Sequence, residues 1–319
     1  MEFVLWGHRS GCHGSEDWVR GLCKLLKGRI EIQSTDPGAD FRYGMGELGG
    51  LFQFPFAANC RIDARPEDVR HLRRQGVKTV LWSTDSVSPS DLRQLQRYDA
   101  VVVTEQRTYR QLLRVGLGKK LYLGPEPAFL VEPVYRTLTI PPNTLALSLS
   151  YPREAAQVLF ESYRGFLAWI LKETDCTVAL VPYCVTPHRN DLLLNRALAR
   201  LFRDCGRVLI CEDGPSPVLR GDLSRCCCCV GFEGAVAAWG CGVPSLCLQS
   251  TDRTLGLARD LFGSVDEAVY DYRLVQSPEM LIERFCSFWD RLEWHRRRLA
   301  SILFSMRPKK ENVQIKEFT

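Results

Sequence analysis

The sequence predicts an α/β protein of two Rossmann-like, doubly wound parallel-sheet domains with a cleft between them. Three observations carry that expectation. Short apolar runs rich in Val, Ile and Leu alternate with amphipathic helical stretches over almost all of the 319 residues. Continuous apolar strands separated by helices belong to parallel sheets covered on both faces. The alternation breaks off in a proline-rich stretch, Pro125 to Pro142, and then restarts. The restart implies two halves, 1–135 and 136–319, the second ending in a long C-terminal helix.

In the first half the expected strands are Phe3–Trp6, Ile30–Gln33, Thr79–Trp82, Ala100–Thr104 and Leu121–Leu123. The second series is Leu145–Leu149, Thr177–Val181, Val208–Cys211, Cys227–Val230 and Ser245–Leu248, with Ala268–Tyr270 the weakest candidate. Helical periodicity marks Glu67–Gln75, Asp91–Tyr98, Gln106–Val115, Arg153–Glu173, Asn190–Asp204 and Glu279–Ser305. Thr35 to Asn59 is rich in Gly and Phe without clear periodicity, so it reads as a loop region reaching toward the cleft or a partner.

Composition narrows the function classes. Hydrophobic residues make up 45% and charged residues 25%, the balance of a soluble globular protein. A net charge of +5, from 42 basic and 37 acidic residues, suits an anionic substrate or an acidic surface partner but falls far short of a nucleic-acid footprint. The densest basic run, His295-Arg-Arg-Arg298, reads as a solvated helix face. Met1 to Trp6 lacks the features of a signal peptide, and no run reaches the roughly 18 apolar residues of a membrane span. A cytoplasmic protein is expected, with the inner face of the cell membrane open to it as a place of work. The 14 cysteines are then reduced thiols. Cys226-Cys-Cys-Cys229 reads as a strand of small hydrophobes, because consecutive strand side chains point to opposite faces and cannot converge on one ion. Neither a metal nor a cofactor is expected.

The stretch Val230-Gly-Phe-Glu233-Gly234-Ala-Val-Ala-Ala238-Trp-Gly-Cys-Gly242-Val-Pro244 concentrates the functional signal. It reads as a strand end, a helix of small residues and a Gly-x-Pro turn into the next strand. Small residues let that helix press its backbone against a sheet or a ligand. Glu233 and Gly234 stand at its start, where α/β proteins place binding groups. A second signal is the turn after the first strand, Gly7-His-Arg9-Ser-Gly11-Cys-His13-Gly. Free backbone N–H groups there suit an anion, and Arg9 and His13 add positive charge; tight turns also need glycine for its backbone freedom. Arg153, Arg253 and His188 follow strands of the second half. Each reads either as a cleft residue or, more plainly, as a helix-start ion pair or a surface histidine.

In this order the segments resemble the polysaccharide pyruvyl transferase family. That family often opens with strand, Gly-Tyr-Tyr-Gly-x-x-Asn-x-Gly-Asp-Glu, helix; counted from Gly7, His13 takes the Asn, Ser15 the last Gly, and Glu16-Asp17 the acidic pair. Tyr98 to Gly116 is similar to its strand, Arg-Asp/Glu-x-x-Ser and helix segment, with Thr104 in place of Arg. Gly124-Pro-Glu126-Pro-Ala-Phe129-Leu is similar to its Asp-Pro-x-Phe-Leu turn, and His188-Arg-Asn-Asp191 to its Asp-containing loop. Against Arg-x-His-Ala-x-x-x-Ala-x-x-x-Gly-x-Pro, the chain keeps Ala238, Gly242 and Pro244 but carries Gly231 for Arg and Glu233 for His; Arg253 matches a downstream Lys.

The resemblance implies transfer of pyruvate from phosphoenolpyruvate, as a ketal, to two hydroxyls of a cell-surface glycan. It makes Glu233 and His13 the catalytic candidates, and Arg9, Gly11, Arg153, His188, Gly234 and Arg253 the substrate-binding ones. Ketal formation needs cations for the donor's carboxylate and phosphate, and a proton donor for the enol. The same residues suit a GT-B-like glycosyltransferase that binds a nucleotide-sugar in its second half, with Glu233 on a sugar or ribose hydroxyl. They also suit a degenerate member that binds a glycan without turnover. The acceptor under each enzymatic reading is a glycan or lipid-linked glycan, with peripheral membrane contact and no nucleic acid.

Overall fold

The computed structural model describes residues 2–6, 44–45, 56–59, 66–74, 76, 78–82, 91–124, 126, 129, 141, 143–149, 156–186, 189–211, 226–229, 232–249, 251–265 and 267–306. The first half contains β1 (Glu2–Trp6), β2 (Gly44–Met45), β3 (Phe56–Asn59), α1 (Pro66–Arg74), β4 (Lys78–Trp82), α2 (Leu92–Leu95), β5 (Ala100–Val103), α3 (Gln106–Arg114) and β6 (Leu121–Leu123). Its sheet has the order β2-β1-β3-β4-β5-β6, parallel throughout except for β2. Leu81, Val101 and Val103 of the sheet pack with Leu95, Tyr98, Leu112 and Leu117.

Two expectations change here. Phe56-Ala-Ala-Asn59 is a parallel strand between β1 and β4, not part of a loop. It is short and has no β-branched residue, so its pattern carried little strand signal. The helix expected over Asp91–Tyr98 stops at Leu95, where Arg97 and Tyr98 donate to carbonyls three residues back. Asp99 then folds back on β4, its carboxylate accepting from the Thr79 amide and hydroxyl, each at 2.9 Å. The strand expected at Ile30–Gln33 lies outside the described residues.

In the second half come β7 (Thr144–Ser148), α4 (Ala156–Glu173), β8 (Thr177–Leu180), β9 (Val185–Thr186), β10 (Arg189–Asn190), α5 (Asp191–Leu201), β11 (Val208–Ile210), β12 (Cys226–Cys229), α6 (Phe232–Gly240), β13 (Ser245–Cys247), α7 (Asp252–Phe262), α8 (Pro278–Trp289) and α9 (Leu292–Met306). The sheet order is β11-β8-β7-β12-β13, all parallel, and Val269 adds one parallel bridge to Cys247. The four-cysteine run is therefore an interior strand, paired on both sides.

Strand periodicity sorts this sheet's side chains onto two faces. Leu145, Leu147, Leu149, Val178, Leu180, Leu246 and Leu248 face α4, α5 and α8, where Tyr163, Phe166, Leu194 and Phe285 cover them. Ala146, Ala179 and Cys247 face the other way, against the alanines and Trp239 of α6 and Leu257 and Leu261 of α7. Helices on both faces make this half doubly wound. No helix of the described residues is long and apolar enough to cross a membrane.

The long helix expected over Glu279–Ser305 is two helices, broken at Asp290-Arg291. The break lets α8 set Phe285 and Phe288 on the leucine-rich face, while α9 sets Leu299 on the alanine-rich one. His295 is accordingly buried, not part of a solvated face: its ring meets Phe288 at 4.8 Å, Trp294 at 5.1 Å and Phe262 at 5.2 Å.

Candidate active site

In the second sheet the chain winds outward from β7 in two directions, to β8 and β11 on one side and to β12 and β13 on the other. The β7/β12 edge is thus a topological switch point, where open α/β sheets bind ligands beyond the carboxyl ends of their strands. At that edge Cys229 is level with Ser148 and Cys247, and α6 begins three residues later. Glu233 and Gly234 lie in the first turn of α6, with Gly234 buried. The helix ends in a tight cap: Cys241, Gly242 and Val243 donate back to Ala237, Trp239 and Ala238, and Gly242 takes a φ of 74°. Trp239 Nε1 donates to the Ser245 carbonyl at 3.2 Å, which ties the helix to β13.

The two halves meet along a seam at the carboxyl ends of β5, β6 and β13. Glu105 caps α3, its carboxylate accepting from the Thr108 amide at 2.8 Å. It is 2% exposed, and burial followed by the nearby Asp260 charge pushes its carboxyl up, against those capping bonds. Gly256 of α7 lies directly on it; a Cβ there would fall 2.5 Å from Glu105 Oε2, so only glycine permits this approach. Asp260 accepts from the Gln106 amide at 2.7 Å, and Arg107 pairs with Asp252 at 3.1 Å. Burial pushes the Asp260 carboxyl up too, with the Gln106 bond and then Arg110 and Arg259 opposing.

Arg253, in the first turn of α7, is buried and ion-paired with the buried Glu126 of the turn after β6. Gly124 shapes that turn, because a Cβ there would fall 2.6 Å from Val102 Cγ1 and 3.2 Å from the Trp82 ring. Phe129, at the end of the same turn, packs into the alanine-rich core of the second half.

Among the residues singled out in the sequence, Glu233 and Gly234 come together at the switch point, while Arg253 sits at the seam with its charge matched. Arg9, Gly11, His13, Arg153 and His188 lie outside the described residues. Asp191, three residues on from His188 in the sequence, is buried and accepts from the Tyr183 and Cys184 amides at 3.2 and 2.9 Å, so it holds the segment after β8. Sequence reasoning passed over Glu105, Asp252 and Asp260. Glu105 is not of a residue type favoured at helix N-caps, so the sequence carried no capping signal there; the partners on α7, about 150 residues on, carried none either.

No family model matches the chain, and no curated protein matches it in sequence. Solved structures do. A Staphylococcus aureus MnaA–UDP co-structure superposes with a TM-score of 0.65 at 10% identity, covering 94% of this chain and 91% of the other. A Listeria monocytogenes protein described as a UDP-N-acetylglucosamine 2-epimerase gives 0.59 at 11%, over 94% and 90%. Anabaena HepE, in complex with UDP-glucose, gives 0.55 at 11%, over 96% and 95%. Two larger streptococcal chains are matched over only 51% and 52% of their own length. The chain thus has the GT-B-like fold: two Rossmann-like, parallel-sheet halves facing across a cleft.

Proposed function

We propose that this chain is a GT-B-type transferase of polysaccharide biosynthesis that uses a nucleotide-sugar donor and a glycan or lipid-linked glycan acceptor. The observation that carries this reading is the switch point between β7 and β12, with the N-terminus of α6 starting just beyond it. In this reading the first-turn N–H groups of α6 and its partial positive charge receive the donor diphosphate. Gly234 lets the phosphates approach the backbone. Glu233 accepts hydrogen bonds from ribose or sugar hydroxyls, and Arg153, which follows β7 in the sequence, offsets the diphosphate charge. Arg9, Gly11 and His13 follow β1 in the sequence; His13 would take the proton of the attacking hydroxyl. His188, between β9 and β10 in the sequence, would contact the donor.

Support comes from the neighbours of the same fold, whose descriptions carry UDP or UDP-glucose. Those ligands favour a nucleotide-sugar over phosphoenolpyruvate as donor. Arg253 adds little to anion binding here, since Glu126 already neutralises it.

A thermal-shift series tests the assignment, because a ligand that binds only the native state raises its melting temperature. UDP, UDP-glucose and UDP-N-acetylglucosamine should stabilise the chain where phosphoenolpyruvate does not. Glu233→Gln should reduce the nucleotide-sugar shift while leaving the unliganded melting temperature within a degree or two. Stabilisation by phosphoenolpyruvate alone would restore the ketal reading and remove this one.

A further inference from the structure

The seam carries a second feature that the switch point does not account for. Arg107, Arg110 and Arg114 stand at helical spacing on α3, three and four residues apart, and therefore share one face. Across from them, near the end of α7, is Arg259. Together with Gln106, Gln111 and Asp260 they line a groove of about 420 Å³ that draws on both halves of the molecule. None of the residues flanking the β7/β12 edge lines it.

Its charge is strongly one-sided. Four guanidinium groups face one carboxylate, and that carboxylate, Asp260, already accepts from the Gln106 amide. Arg107 is matched by Asp252. Among the described residues, Arg110, Arg114 and Arg259 form no salt bridge, although Arg110 and Arg259 both act on the Asp260 carboxyl. A solvated basic helix face would be convex and free to splay. This one is concave, and the contacts of Glu105 with Gly256 and of Arg107 with Asp252 hold its two walls together. Guanidinium forks converging from two elements match the oxygens of a phosphoryl group, and Gln106 and Gln111 offer neutral amide donors beside them.

We propose that the α3/α7 groove is an anion site for a diphosphate or phosphomonoester group, separate from the donor cleft, whose occupation clamps the two halves. Such a ligand bridges Arg110 and Arg114 of the first half to Arg259 of the second, so binding favours the arrangement in which the seam is closed. The phosphoryl group arrives either free or on an anionic lipid headgroup; the chemistry recognised is the same.

The test uses the full chain at low ionic strength without nucleotide, because UDP would itself offer a diphosphate to the groove; binding at the donor cleft is told apart by the arginine variants. Inorganic diphosphate is titrated by calorimetry, and phosphatidylglycerol vesicles are used in a parallel sedimentation assay. Binding in either arm, weakening as salt is raised, is the expected result, and the arm that responds identifies the source. Arg110→Ala with Arg259→Ala should weaken the responding arm about tenfold or more, whereas Arg110→Lys should retain part of it. All three arginines are exposed, so circular dichroism and melting temperature should match the parent chain. Absence of binding in both arms would overturn the proposal. So would equal affinity in the double Ala variant, or binding of polyglutamate as strong as that of diphosphate.

Discussion

The two faces of the second sheet are built from different materials. One is leucine and aromatic: Leu145, Leu147 and Leu180 lie under Phe166, Phe285 and Phe288, with Phe166 and Phe285 in edge contact at 5.0 Å. The other is alanine: Ala146 and Ala179 lie under Ala235, Ala237 and Ala238 of α6. Large side chains hold the first helix layer away from the sheet, and small ones draw α6 onto it. That closeness sets the N-terminus of α6 at the switch point, and the same side of the sheet carries α7 and the seam. One face thus supplies bulk stability while the other trades side-chain volume for position.

Substitutions that exchange the two materials should break this division. Phe166, fully buried on the leucine face, should cost about 3–5 kcal/mol when cut to Ala, since the transfer loss and a cavity add. Nucleotide-sugar binding measured at a temperature where the variant is folded should be unchanged. Ala146→Leu does the opposite: overpacking costs about 1–3 kcal/mol, yet it pushes on α6 and should weaken ligand binding more than Phe166→Ala. Denaturant melts paired with ligand titrations separate the two. If Phe166→Ala harms binding and Ala146→Leu does not, the assignment of roles is reversed.

The seam offers a second contrast, because buried and exposed ion pairs join packing there, where the faces are held by packing alone. Arg253→Ala leaves Glu126 buried without its counter-ion and should destabilise by about 3 kcal/mol. Arg253→Met combined with Glu126→Leu removes both charges and should recover most of that loss. A double variant as unstable as the single one would mean that the cost lies in lost packing and not in the stranded carboxylate.

Legibility in the sequence follows the same division. The five strands of the second sheet were readable within a residue or so, because runs such as Leu145 to Leu149 and Thr177 to Val181 are mostly apolar and their burial leaves one reading, whereas the two-residue strands β9 and β10 gave no signal. Phe56 to Asn59 was not, being four residues with two alanines and no β-branched residue, set within a Gly- and Phe-rich stretch. The break at Asp290-Arg291 was hidden for a related reason: neither Gly nor Pro marks it, and only the need for α8 and α9 to serve different faces creates it. Glu233 and Gly234 could be placed because a strand end, small residues and a Gly-x-Pro turn are all local. The Arg253–Glu126 pair joins positions 127 apart, and the groove on α3 and α7 joins elements more distant still. Periodicity carries no information about such meetings.

His295 touches both cores, Phe288 of the leucine one and Phe262 of the alanine one. Neither ring nitrogen has a hydrogen-bond partner among the described residues. Burial, followed by the charges of Arg291 and Arg284, pushes its pKa down from 6.5 to about 4. A base whose folded pKa is depressed binds protons more readily when unfolded, so acid favours unfolding. The resulting loss begins as pH falls below about 6.5, grows through pH 5, and is complete only below 4. Between pH 7.5 and 5.5 it should amount to roughly 1 kcal/mol. His295→Phe fills the same aromatic site without titrating. Urea melts at the two pH values should show the parent chain losing about that much more stability than the variant. The variant should also match or exceed the parent at pH 7.5, since two buried, unpartnered nitrogens are gone. Equal pH dependence in both proteins would place the acid sensitivity elsewhere, with the raised carboxyls of Glu105 and Asp260 excluded by sign: a carboxyl whose folded pKa is raised gains relative stability as pH falls.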